Sequence, residues 1–479
     1  MTWRARGAAT GTPVILNGFT TSITEHRRVS TRRRLAFAVV LFAAGLMNPA
    51  AAQQQPEAGA GDLAGHGGPV KAVAVSAAGD TALSGSFDYS MMHWNIADPG
   101  KPALLHRFTE HDGAVKAVAF LPGGKQALSG SDDGVVRLWD LETGRLIHAF
   151  EPHQHKVVGL AVSADGKLAA SASWDRTVRI FDLDARTLKF ELKGHQNTVN
   201  AAAFSVDGQN VFTTGTDGTI RKWRLSDGQE ERTIYKHGWG INVLAALPGG
   251  KSLAFGALNG TAAIVDIESG EIAHELAQRE RPILSLAVSA GHNVIAFGGG
   301  DGIVSVHDMG DWTPVKLLDN PYGPIWALAF SGDGDALYMG GLDDQVHYWQ
   351  FRPGRNFEAA RGTFPRRFQK TEDMSLGERQ FARKCSVCHT LSPDDANRAG
   401  PTLYGVFGRK AGTLPGYAYS DALLNSDIVW NEATIGELFE KGPQHLVPGT
   451  KMPLQKMSND EERNAMVQWL KEVTGPAAN

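Results

Sequence analysis

The chain holds only two cysteines in 479 residues, and they stand together as Cys385-Ser-Val-Cys388 with His389 directly behind. This spacing is the pattern for covalent attachment of c-type haem. Two thiols add to the two vinyl groups of the macrocycle, and the adjacent imidazole then lies under the iron. Three rival uses of the pair are weaker. A thioredoxin-like dithiol wants a βαβ surrounding, which the flanking pattern does not supply. A structural zinc site wants about four nitrogen or sulfur ligands, and no second cysteine pair exists. A disulfide here would close too short a loop to stabilise much. Iron also wants a second axial ligand. Pro448-Gly-Thr-Lys-Met452-Pro453 offers a thioether in a turn fixed by two prolines, 63 residues after His389. Met457 is its competitor. A His389/Met452 pair raises the reduction potential and leaves no open position at the metal, which favours electron transfer over small-molecule chemistry.

Helices must position these groups. Ser375-Leu-Gly-Glu378 resembles a capping box, opening a helix that runs into the cysteines. Asp460–Glu472 carries Ala465, Met466, Trp469 and Leu470 at the spacing of one helical face. The text between them is long and specific: CSVCHTL, AGPTLYGVFGRKAGTLPGYAYSDAL, IVW and VPGTKM. On those residues the segment from about 374 to 474 resembles class I cytochrome c, including its mitochondrial-type branch. The resemblance implies a small all-α domain, assigned here to 374–479. It implies that the Pro401 carbonyl accepts from the His389 N–H, the usual device for holding a ligating imidazole. It places Arg409, Tyr419 and Trp430 around buried haem propionates, with a plain core role as the lesser alternative for Trp430. Gly377 and Phe381 would pack near Trp469 and Leu470. Two departures stand out. Leu438 occupies a position where the family often has a Tyr that reaches the axial Met sulfur. The lysine-rich docking face of the mitochondrial branch is diluted, since residues 370–479 hold 12 Lys and Arg against 14 Asp and Glu.

Ahead of this domain lies a repeat. Trp94, Trp139, Phe181, Trp223, Val265, His307 and Trp349 end similar short strands; the first gap is 45 residues and the other five are 42. Six residues before each marker lie Asp88, Asp133, Asp175, Asp217, Asn259, Asp301 and Asp343. Ten before it lie Ser84, Ser129, Ser171 and Thr213, then Phe255, Phe297 and Met339. Twenty-eight before it lie His66, His111, His153, His195 and His237, then Arg279 and Pro321. Runs such as Val115–Phe120 read as half-buried strands, and Asp207-Gly208 and Asp217-Gly218 as hairpin turns. These copies resemble WD40 repeats, and seven would close a β-propeller over 61–352. The resemblance implies a buried His–Ser/Thr–Asp–Trp chain, complete in blades one, two and four. In blade three Phe181 cannot donate a hydrogen bond. Blades five to seven lose the hydroxyl, so their contacts should be more purely apolar. These His and Asp residues read as satisfied core groups rather than metal or catalytic sites, and His307, in a Trp slot, reads as a core or rim histidine. The stretch before His66 is a poor strand and leaves open how the ring is sealed.

The whole-chain numbers agree with two soluble domains: 42 % hydrophobic, 20 % charged, 55 glycines and a net charge of −4, which gives no sign of nucleic-acid binding. At the N-terminus Arg32-Arg33-Arg34 precedes an apolar run of 13 residues, Leu35–Met47, and the small residues Ala50-Ala51-Ala52. This is the layout of a secretory signal peptide over 1–52, and the run is short for a membrane span of about 20 residues. Residues 1–28 sit awkwardly before it, which suggests an over-extended start with Val29 as the true one. A linker over 53–60 and a basic, proline-containing connector over 353–373 complete the division.

The reading is therefore a multi-domain chain, an all-β seven-bladed WD40-like propeller followed by a small all-α class I cytochrome c domain. One covalent haem c is expected, bound by Cys385, Cys388, His389, Pro401, Arg409, Tyr419, Trp430 and Met452. The expected function is periplasmic electron transfer, with the propeller docking a protein partner and the cytochrome meeting redox partner proteins. No nucleic acid and no stable membrane insertion are expected. Alternatives are a tether through an uncleaved signal, a propeller-based oxidoreductase whose haem is the electron outlet, and a haem-based redox sensor. No catalytic constellation is found in the sequence.

Overall fold

The computed structural model describes residues 60–475 except 321–322, 354–373, 387, 392, 394–399, 416, 418, 449, 451 and 453–454. The expected signal peptide, nearly all of both expected linkers, Pro321 and Pro453 lie outside the described residues. Among the described residues no helix is long and apolar enough to cross a membrane.

Residues 63–350 form seven four-stranded antiparallel sheets, six of them with strands in chain order. Within a blade, burial is greatest in the second strand, less in the innermost and least in the outermost. The second strand, such as Thr81–Ser86 or Gln126–Ser131, is buried along almost its whole length. The outermost strand, such as Ala103–Phe108, is exposed along about half its length. A second strand has a neighbouring blade on each face, so it shows no apolar–polar alternation, and in blades one to three it is built mostly from small residues. Gly85 and Gly130 show why: a Cβ on either would come within 2.7 Å and 2.6 Å of the next blade's Val115 and Val157 side chains.

The polar chain is present in blade one. The Trp94 indole N–H donates to Ser84 Oγ at 2.8 Å, Ser84 Oγ lies 2.6 Å from His66 Nε2, and His66 Nδ1 lies 2.9 Å from Asp88. Blades two and four repeat it through Trp139–Ser129–His111–Asp133 and Trp223–Thr213–His195–Asp217. Blade three keeps His153, Ser171 and Asp175 and buries Phe181 in the indole's place. Burial works against the Asp88 carboxylate, yet His66 and Arg107 beside it hold it well below the usual carboxylate range. The later blades are less purely apolar than expected. Phe255, Phe297 and Met339 are buried in the hydroxyl slots. In blade six, however, Arg279 takes the His slot and donates to Ser305 Oγ and the Ile303 carbonyl, both at 2.7 Å. His307 is a buried side chain edge-on to Phe297.

The ring is sealed by two residues from its start. Leu63 and Ala64 pair antiparallel with Val346 and Gln345, adding the outer strand of blade seven. Asp62 strengthens the joint, accepting from the Tyr348 backbone N–H at 2.8 Å and lying 3.1 Å from His347 Nδ1. His347 Nε2 meets Asp343 on the other side. Only an imidazolium can donate to two carboxylates at once. Burial opposes that charge, but Asp343 and Asp62 hold His347 up to about 10.

Among the described residues the C-terminal domain has five helices, α1 (Leu376–Lys384), α2 (Asp421–Leu424), α3 (Glu432–Lys441), α4 (Pro443–Leu446) and α5 (Asp460–Val473). Ser375 caps α1 by accepting from the Glu378 N–H at 3.2 Å. Asn431 and Thr434 form a reciprocal capping box on α3. Helices α1 and α5 cross where Gly377 faces the Ala465 carbonyl, and Phe381 packs at a tilt against Trp469, 5.3 Å between ring centres.

Candidate cofactor site

Helix α1 delivers the motif. Its last turn continues through Cys385 N–H to the Phe381 carbonyl at 2.8 Å, and a tight turn follows in which His389 N–H reaches the Cys385 carbonyl at 2.9 Å. The turn sends both thiols and the imidazole to one cavity. That cavity measures about 1130 Å³ counting its open mouth and adjoining solvent. Leu403, Val406, Ile435, Leu438 and Phe439 give it an apolar wall. Burial pushes the Cys385 thiol up to about 12, with Cys388 adding to the effect. Such a group rests as a neutral thiol. Among the described residues no three His, Cys, Asp or Glu side chains converge as a metal site.

All eight residues singled out in the sequence line this cavity: Cys385, Cys388, His389, Pro401, Arg409, Tyr419, Trp430 and Met452. His389 Nδ1 lies 2.8 Å from the Pro401 carbonyl. That bond puts the ring proton on Nδ1 and makes Nε2 the basic nitrogen. Arg409 donates to the Tyr404 and Thr402 carbonyls at 3.0 Å and 2.7 Å, which fixes its guanidinium at the cavity wall. Burial draws that group down from its usual value, with Tyr419 opposing. The Met452 loop is braced by Gln444, which donates to the Thr450 carbonyl at 2.7 Å, and by the Met452 N–H to Thr450 Oγ1 at 3.3 Å. Met457 is instead a buried core residue, not part of the cavity wall.

Three residues escaped the sequence reading. A Cβ on Gly400 would sit 2.3 Å from His389 Cε1, so only glycine lets the chain cover the imidazole face. The Gly-Pro pair at 400–401 was the available signal. Tyr417 lines the cavity and meets Tyr419 edge-on at 4.8 Å, and burial raises its phenol. Tyr89, from propeller blade one, also lines it, and no local sequence signal links it to the motif.

The residues present fit a covalent haem: two thiols in a Cys-x-x-Cys interval, one imidazole with its proton committed to a carbonyl, a thioether, a fixed guanidinium and an apolar wall, all on one cavity. Propeller and cavity together define a haem-carrying electron-transfer domain joined to a repeat scaffold. Comparison with known proteins bears on both parts. The family model for cytochrome c matches residues 374–474, that for the WD domain, G-beta repeat, matches 60–95, and that for the IFT122 first beta-propeller matches 115–363. Cytochrome c of Gibberella zeae is 38 % identical over 102 residues, covering 21 % of this chain and 95 % of the relative. Cytochrome c of Sesamum indicum is 38 % identical over 102 residues, with 21 % and 91 % covered. Cytochrome c2 of Blastochloris viridis is 38 % identical over 101 residues, with 21 % and 78 % covered. The chain belongs to the cytochrome c family, as a two-domain member whose N-terminal part is a seven-bladed propeller of the WD-repeat, IFT122-first-propeller type. Its cofactor is haem c, one per chain.

Proposed function

We propose that this protein is an electron carrier whose single haem c is ligated by His389 and Met452, with the propeller as a protein-docking scaffold. The observation that carries the reading is the meeting of Cys385, Cys388, His389 and Met452 on one cavity, with His389 pinned through Nδ1 to Pro401. When bound, haem supplies a one-electron couple at iron. The chain's own residues do the rest. Pro401 and Gly400 fix the plane and tautomer of the imidazole. Arg409, Tyr419 and Trp430 stand ready for the propionates, where donors offset the cost of burying charge. The apolar wall keeps water from the metal and favours its less charged state. Leu438 on that wall brings no hydroxyl toward the Met sulfur.

A scaffold role for the propeller is supported by what its polar residues already do. The His and Asp of blades one to four are engaged in buried chains within single repeats. We also infer export to the periplasm, on the strength of the basic cluster and short apolar run at 32–47. The docking partner is a protein of the same compartment.

The test is cofactor stoichiometry on protein purified from a periplasm, by visible spectrum, elemental analysis and mass spectrometry. One haem c and no second cofactor is the expected result; an organic cofactor or second metal held by residues 61–352 would make the chain a propeller enzyme. Ligation is tested separately. Met452→Ala should lower the reduction potential and let added imidazole bind the haem, seen as a shift in its visible absorption, while Met457→Ala should do neither. The reverse result would move the ligand to Met457.

A further inference from the structure

Tyr89 sits in the turn between the second and third strands of blade one, in the left-handed region at φ 68°. The repeat shows what this position ordinarily wants. The equivalent residues in blades two, four, five and six are Gly134, Gly218, Gly260 and Gly302, with φ between 71° and 89°. Glycine takes this conformation without steric cost, and a tyrosine does not. Blade three also carries a side chain here, Arg176 at φ 74°, but it is exposed to solvent. Tyr89 is half-buried and lines the cavity that Cys388, His389 and Tyr417 also line. Strain of this kind persists where surrounding structure enforces it, and it clusters at functional sites. The electrostatics agree with the geometry. Burial pushes the Tyr89 phenol up. Tyr417 in turn feels both Tyr89 and Arg107, whose guanidinium is held 3.0 Å from Asp88 in the same blade.

We propose that Tyr89 belongs to the haem site: blade one closes the Cys388 side of the crevice, so that the chain's own propeller shields the haem edge from water. The inference rests on the haem reading above. It gives the fusion of the two domains a physical purpose, because the environment of the metal then depends on the propeller. A water-excluding wall of low polarity favours the reduced, less charged haem and raises its potential. It also slows small solutes that would reach the edge directly.

The experiment uses the full-length, haem-loaded chain and three variants. Tyr89→Gly installs the residue that four other blades use, so the turn should fold without strain. Tyr89→Phe keeps the ring. Arg176→Gly makes the same backbone change away from the cavity. The readouts are the reduction potential by spectroelectrochemical titration and the rate of reduction by a small anionic reductant. Y89G should lower the potential and speed reduction several-fold, Y89F should stay with the unmutated protein, and R176G should change neither. Melting followed by circular dichroism confirms that each propeller is folded. If Y89G behaves like R176G, the proposal is wrong even though the haem reading stands. If the unmutated chain carries no covalent haem, the reading beneath the proposal fails first.

Discussion

Trp139 and Phe181 hold the same place in adjacent blades, and only one of them can donate. The Trp139 N–H gives 2.7 Å to Ser129, whereas Ser171 in blade three has its histidine and no indole. Trp139→Phe therefore reproduces a solution the protein already uses. It should cost about 1 kcal/mol, the net worth of one hydrogen bond, plus a small packing loss, read as a lower urea midpoint with an unchanged slope. A loss several times larger would mean that the indole holds blade two together in a way blade three does not need. At this scale the sequence was most legible where covalent chemistry sets the spacing. Cys385, Cys388 and His389 announce themselves because a rigid macrocycle demands that interval. Gly400 and Tyr417 did not, because their roles come from packing across the folded chain: Gly400 matters through what a Cβ would strike on His389.

Among the elements, the crossing of α1 and α5 is held closer than ordinary side chains permit. A Cβ at Gly377 would lie 2.3 Å from the Ala465 carbonyl oxygen and 2.5 Å from Trp469 Cβ. Neither is the end of a flexible side chain, so the helices themselves would have to separate. Gly377→Ala should destabilise the cytochrome domain by about 1–3 kcal/mol, the usual range for overpacking, despite alanine's better helix propensity. The thermal midpoint of the haem absorption would report it; an unchanged or higher midpoint would show that the crossing relaxes freely. Helix ends were legible here because capping chemistry is local, as at Ser375. The repeat was legible through its period. The second strands of the blades were not, because burial on both faces erases the alternation that marks a strand. The two-residue strand Leu63–Ala64 is too short to carry any pattern, so the seal of the ring had to be seen.

For the whole molecule, that seal makes stability depend on pH. His347 keeps its proton between Asp62 and Asp343, with its folded value raised to about 10 from an ordinary 6.5. A raised histidine contributes stability that is fully present below the unfolded value and is lost as pH rises through the folded one. The propeller's thermal midpoint should fall between about pH 6.5 and 10, and His347→Gln should be less stable at pH 6 and flatten that fall. A wild-type curve with no such slope would refute a charged His347. The same joint has a consequence for how the protein is made. Asp62 and His347 are 285 positions apart, so the first blade's neighbour on the ring arrives last from the ribosome. A chain that stops short of residue 350 cannot close. It would leave the first blade's flank and the segment at 62–64 without their partner, offering strand edges to other chains. Incomplete copies should therefore aggregate rather than persist as smaller propellers, and because the haem motif lies beyond residue 350, every chain that carries a cofactor already carries the strand that completes the ring.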